Sequence, residues 1–233
     1  MTSLLTRNML KGLVVVLCLA AVGVLAISSG AFAQERPARP QPIDPEKLNT
    51  IWRLEARCVA GALEMNREDA GKVVKAYVSA RQDYSKKVSE LPRTREAFQQ
   101  RRELAEKASA GLKEALTKAV GAEKTGKIMG LLSPAMSGFR LDRMVGDLID
   151  FKLPREKLRK AVSAVLEYNR DLSKALAEAR ESGSFEGARE KMTKLNEALN
   201  KTLSGLLSEE QMGTWKERYA RPFGARRGPR PQE

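Results

Sequence analysis

Between Pro45 and Pro222, apolar residues recur every three or four positions, and no stretch alternates apolar and polar residues in twos. That period belongs to helices, so the body of the chain is expected to be helical throughout. Proline and capping residues divide it. Asp44-Pro45-Glu46 pairs an N-cap with proline at the first helical position and opens a helix carrying Leu48, Ile51, Trp52, Val59 and Leu63. A second helix runs from about Arg67 to Leu91 and stops at Pro92. The third runs from about Arg95, capped by Thr94, to Val120. Shorter helices are expected over Ala122–Leu132 and between Pro134 and Asp150. A long one follows over Pro154–Arg180, until Ser182-Gly183-Ser184 interrupts it. Another long helix covers Phe185–Leu207, and Ser208 caps a last one ending near Ala220.

The pattern repeats. Residues 65–91 and 153–179 align without gaps at an offset of 88, with nine of 27 positions identical. Ala70, Val74, Tyr77, Arg81, Tyr84, Val88 and Leu91 follow alternating steps of four and three. Leu158, Val162, Val165, Asn169, Leu172, Leu176 and Ala179 do the same, so Arg81 and Asn169 are the polar members at one matching step. The following helices align at an offset of 87. There Phe98, Arg101, Ala105, Ala108, Leu112, Ala115 and Ala119 match Phe185, Ala188, Met192, Leu195, Leu199, Thr202 and Leu206, read as packing stripes. The expected fold is all-α, with two tandem repeats of long antiparallel helical hairpins (residues 44–133 and 134–220) forming an elongated bundle.

Composition narrows the chemistry. The 233 residues include no histidine, two cysteines and 42 basic against 29 acidic residues, a net charge of +13. Imidazole bases, His-ligated metals and Ser-His-Asp triads are therefore excluded. The chain contains no P-loop, GxGxxG, HExxH, CxxC or GxSxG element. Its many carboxylates lie among Lys and Arg at spacings that read as solvated helix faces. The expectation is a non-enzymatic protein with no cofactor and no metal.

Residues 1–33 read as an export signal. Arg7 and Lys11 precede the uncharged core Gly12–Ile27, and Ala31-Phe32-Ala33 forms a cleavage box before Gln34. An uncleaved anchor is the alternative, although 16 apolar residues fall short of the roughly 20 that a span requires. Cleavage after Ala33 would leave 40 basic and 29 acidic residues, +11, with Cys58 as the sole cysteine. Cys58 reads as a small apolar residue of the first helix, with a redox or intermolecular role as the alternative. Residues 34–43, with Pro37, Pro40 and Pro42, form a linker. Residues 221–233 form an Arg/Pro/Gly-rich tail expected to be disordered. Its Arg221, Arg226, Arg227 and Arg230 are candidate contacts for an anionic lipid or cell-wall surface.

A short signature recurs at four helix starts: Met65-Asn-Arg-Glu-Asp, Val120-Gly-Ala-Glu-Lys, Leu153-Pro-Arg-Glu-Lys and Leu207-Ser-Glu-Glu-Gln. An apolar staple, a cap or turn residue, and Glu in the first turn all suit a helix N-terminus. The fourth copy, with Leu207, Ser208, Glu210 and Gln211, resembles the LTxxQ motif of the Spy/CpxP-type envelope stress proteins, with Ser replacing Thr. In the first copy Asp69 stands where that motif has Gln. The resemblance implies a periplasmic, all-helical, ATP-independent chaperone or stress protein acting on unfolded or stressed envelope clients, in a homodimer of helical hairpins. Export makes nucleic acid an unexpected partner despite the basic charge. A structural protein docking on anionic envelope material through the Arg-rich tail is the alternative.

Overall fold

The computed structural model describes residues 43–92, 94, 96–132, 138–183 and 185–219. The leader, most of the linker and the Arg-rich tail, with the expectations placed on them, lie outside the described residues. Eight helices follow one another among the described residues: α1 (Pro45–Ala62), α2 (Arg67–Ser89), α3 (Glu96–Val120), α4 (Ala122–Leu131), α5 (Gly138–Asp150), α6 (Arg155–Ser182), α7 (Phe185–Ser204) and α8 (Glu209–Tyr219). The chain is all-α among these residues. None of the helices is long and apolar enough to cross a membrane.

Local sequence explains the boundaries. The Asp44 carboxylate accepts from the Glu46 N–H at 3.2 Å, with Pro45 beside it, so α1 starts where cap and proline agree. Thr94 Oγ1 accepts from the Ala97 N–H at the start of α3. One residue, Gly121, separates α3 from α4, and its φ of +86° is a conformation that a side chain disfavours. The helix expected to reach Leu207 ends at Ser204, since the chain must turn there to carry Leu207 into the core ahead of α8.

α1 lies at the centre, packed on α2, α4, α5 and α6. Ile51, Trp52, Ala56 and Val59 are all buried along it. It approaches α5 closely because residue 146 is glycine. A Cβ there would meet Ile51 Cδ1 at 3.3 Å and Lys47 Cε at 3.5 Å. α2 packs along α3, and α6 packs along α7. Residues on both sides of position 133 share one apolar core, from Ile51 to Trp215.

Two expected stripes are corrected. On α3, Phe98 is 72% exposed while Ala97 is buried, and Leu116 replaces the exposed Ala115. On α7, Leu203 is buried and Thr202 is exposed. The period of an α-helix explains both shifts. A strict seven-residue repeat drifts by about 20° per heptad on a helix with 3.6 residues per turn. The buried positions 97, 112, 116, 188, 199 and 203, with the half-buried 101, 105, 108, 192 and 195 between them, keep the longer period.

Candidate functional site

The Leu207–Gln211 motif is a helix-start device with one added bond. Leu207 is buried, and Ser208 and Gln211 exchange bonds. Gln211 N–H donates to Ser208 Oγ at 3.2 Å, and Ser208 N–H donates to Gln211 Oε1 at 3.0 Å. The remaining amide hydrogens of Gln211 reach across to donate from Nε2 to the Phe151 carbonyl at 3.0 Å, beyond the end of α5. Glu210 is exposed. α8 is held further where Arg218 Nη1 and Tyr219 Oη both donate to Asp147 of α5, at 2.7 and 2.6 Å. The first signature copy works similarly. Asn66 Oδ1 accepts from the Asp69 N–H, and Asp69 accepts from Lys124 of α4 at 2.9 Å. Gly121 and Pro154 occupy the cap in the other two copies and make no side-chain cap bond.

A second cluster lies in the core. Arg81 Nη2 donates to Asp142 Oδ1 at 2.5 Å, and Trp52 Nε1 donates to the same oxygen at 3.1 Å. The guanidinium carbon sits 5.0 Å from the centre of the Trp52 ring and 6.0 Å from that of Tyr77. Tyr77 Oη donates to Glu55 Oε2 at 2.8 Å. Burial pushes the Glu55 carboxyl up to about 8, against the pull of Arg81. Burial also raises Asp142, but its guanidinium and indole donors both favour the charged form. One guanidinium can neutralise one carboxylate, and its short contact is to Asp142. The cluster therefore carries Asp142 as the anion and Glu55 as a neutral acid near pH 7. Tyr77, likewise raised by burial, stays a donor.

The third feature opens to solvent. α1, α6 and α7 enclose a cleft of about 550 Å³, in the size range of small-ligand and short-segment sites. Small residues on all three helices make the space: Gly61 and Ala62, Ala164, and Ala198. A Cβ placed on Gly61 would meet nothing within 4 Å. The floor is apolar, with Cys58, Tyr168 and Leu199 each more than nine-tenths buried. Along α6 the lining cations Arg159 and Lys160 precede the lining acids Glu167 and Asp171 by seven to twelve residues, and Arg57 of α1 adjoins Cys58, which lies against Arg159. None of the three cations has an ion-pair partner among the described residues, whereas Asp171 is held by Arg170 at 2.7 Å. Cys58 Sγ lies 3.9 Å from the Arg159 carbonyl, and burial pushes its thiol up to about 11. It is a protonated packing residue at neutral pH rather than a ready nucleophile.

The sequence reading took Trp52, Tyr77, Tyr84 and Trp215 as core or interface residues; Trp52, Tyr77 and Trp215 are buried, and Tyr84 is half-buried. It missed Glu55 and Asp142, although each is an acid at an apolar phase of its helix, Glu55 between Trp52 and Val59, Asp142 between Leu141 and Val145. It also missed the cleft, which needs three helices to exist. Arg221, Arg226, Arg227 and Arg230 lie outside the described residues. No cluster of three metal-ligating side chains occurs among the described residues. Comparison of the chain with protein-family models, with characterised proteins and with solved structures finds no match.

Proposed function

We propose that this is an exported, non-enzymatic binding protein of the periplasm, an ATP-independent chaperone or envelope stress protein of Spy/CpxP type. Its fold is then a duplicated pair of helical hairpins, as the matched seams of α2 and α6 suggest. The observation that carries the reading is the open cleft, whose apolar floor lies between rims of charge. Such a surface attracts an unfolded chain through charge at long range and then holds it through weak apolar contact. The export signal, the basic balance of +11 after its removal and the Leu207–Gln211 motif support the same reading. The protein should suppress aggregation of a reduced, unfolded client at substoichiometric to equimolar ratios. No suppression at several-fold excess would overturn it.

The Arg-rich tail favours a second reading. From Lys216 to Glu233 there are six basic residues against two acidic ones, which suits docking on anionic lipid or cell-wall polymer. Deletion of residues 221–233 separates the readings. Docking predicts that salt-sensitive binding to anionic vesicles is lost, while client holding survives the deletion.

A further inference from the structure

We infer that the cleft between α1, α6 and α7 receives a short extended polypeptide segment of ordered charge, acidic at one end, apolar in the middle and basic at the other. The inference rests on the binding-protein reading above and names the ligand of that same cleft.

The order is written along α6. Arg159 and Lys160 open the cleft, Ala164 and Tyr168 follow over its floor, and Glu167 and Asp171 close it. Twelve residues of helix separate the first cation from the last acid, a rise of roughly 18 Å. An extended chain covers that length in about five residues. Arg57 of α1 adds to the cationic end, and the three cations there lack ion-pair partners among the described residues. A carboxylate arriving at this end thus displaces no existing ion pair, and most of its attraction is realised as new contact. Glu167 likewise makes no ion pair among the described residues and can receive a basic side chain. Between the ends, the gap left by Gly61, Ala62 and Ala198 gives apolar side chains a place over Cys58 and Leu199.

The acidic end decides between ligand classes. A fatty anion with its head at Arg57 and Arg159 would run its chain past Glu167, leaving that carboxylate, which makes no ion pair among the described residues, facing hydrocarbon. A wholly acidic segment would meet like charge at the same place. Only a segment that changes sign along its length satisfies both rims.

The test uses the full chain and fluorescein-labelled heptapeptides. One carries two glutamates, three leucines and two lysines in that order. A second interleaves the same residues, and a third replaces the lysines by glutamates. The block peptide should bind about tenfold more tightly than either of the others. Arg159→Glu and Glu167→Lys should each weaken it, because each reverses a charge on one rim. Ala198→Trp, which fills the cleft without changing charge, should abolish binding while circular dichroism stays unchanged. Equal binding of the interleaved peptide, strongest binding of the acidic one, or indifference to Ala198→Trp would overturn the inference. So would saturable binding of laurate that Ala198→Trp removes, with the block peptide inert. Aggregation suppression by the same preparation separates the two levels. A protein that holds clients but ignores the block peptide refutes the cleft assignment alone. One that does neither also refutes the chaperone reading.

Discussion

Midway along α2 the Arg81 side chain is 3% exposed, clamped between two aromatic rings and a buried carboxylate. At the matching step of α6, 88 residues on, stands the half-buried Asn169. The neighbourhoods differ as much as the residues. α6 buries eight residues, seven of them apolar or alanine plus the ring of Tyr168, because it packs on α1, α4, α5 and α7. Among the described residues α3 packs only on α2 and α4, and it buries Ala97, Leu112 and Leu116. Alanines at 105, 108, 115 and 119 leave it little else to offer. The outer hairpin α2–α3 thus gains less from burial and is fixed to α1 and α5 by directional polar bonds. The inner hairpin α6–α7 is fixed by area removed from water. Equal periodicity in sequence conceals this difference, because burial depends on how many neighbours a helix has.

The sharpest way to break the comparison is to remove the clamp. Arg81→Ala leaves Asp142 charged in the core without its counter-ion and should destabilise the protein by about 3–5 kcal/mol. Asn169→Ala should cost about 1 kcal/mol or less. Chemical denaturation of the two variants measures both, and comparable losses would mean that the clamp does not anchor the outer hairpin. The reciprocal test strikes the inner hairpin through its apolar contacts. Leu203→Ala, at a fully buried position on α7, should cost about 2–5 kcal/mol.

Glu55 gives the comparison a pH dependence. Its carboxyl is raised from 4.5 to about 8 in the folded chain, so between those values the folded state holds a proton that the unfolded state has released. Stability from this group is complete below about 4.5 and is lost as pH rises towards 8, at a slope approaching roughly 1 kcal/mol per pH unit. The groups facing it are Tyr77 and Arg81 from α2 and Asp142 from α5, with Trp52 beside it on α1. Glu55→Gln keeps an acceptor for Tyr77 and removes the titration. The stability of the variant relative to the unaltered protein should therefore climb from pH 4.5 to 8, in melting curves taken across that range. A constant difference would mean that Glu55 is ionised throughout.

Much of the architecture was legible in the chain, for physical reasons that particular residues display. Helix starts could be read because Asp44, Asn66, Thr94 and Ser208 bond to backbone two or three residues away, a local transaction. The packing stripes read on α3 and α7 slipped by one residue at their ends because a seven-residue spacing was imposed on helices with 3.6 residues per turn. Glu55 and Asp142 were opaque for another reason. An acid on an apolar phase is informative only when the partner that neutralises or shields it is known, and those partners lie 22 to 90 residues away. The cleft was more opaque still, since its cations come from α1 and α6, and its space comes from small side chains on three helices.

The smallest effect concerns the signature that both halves share. Its fifth position bonds across the fold in each half, but by different chemistry. Asp69 accepts from the exposed Lys124 ammonium, whereas Gln211 donates from Nε2 to the Phe151 carbonyl. The first bond is ionic and solvent-facing, so Asp69→Asn should weaken the start of α2 only at low ionic strength, a difference erased in molar salt. The second is neutral and should persist in salt. It also explains why an amide, rather than an acid, stands at residue 211. A glutamate there would still accept from the Ser208 N–H, completing the capping box, but it would turn an oxygen towards the Phe151 carbonyl and lose the donor. Gln211→Glu should therefore cost about 1 kcal/mol at high and low salt alike, near the loss of one hydrogen bond. Were capping its sole role, Gln211→Glu would be neutral or slightly stabilising, because an acid in the first turn suits the helix dipole. Hydrogen exchange at the amides of α8 and of residues 151–153 reads the outcome directly. Faster exchange at both places identifies the bond as a tether between α8 and the end of α5, and unchanged exchange reduces it to a cap.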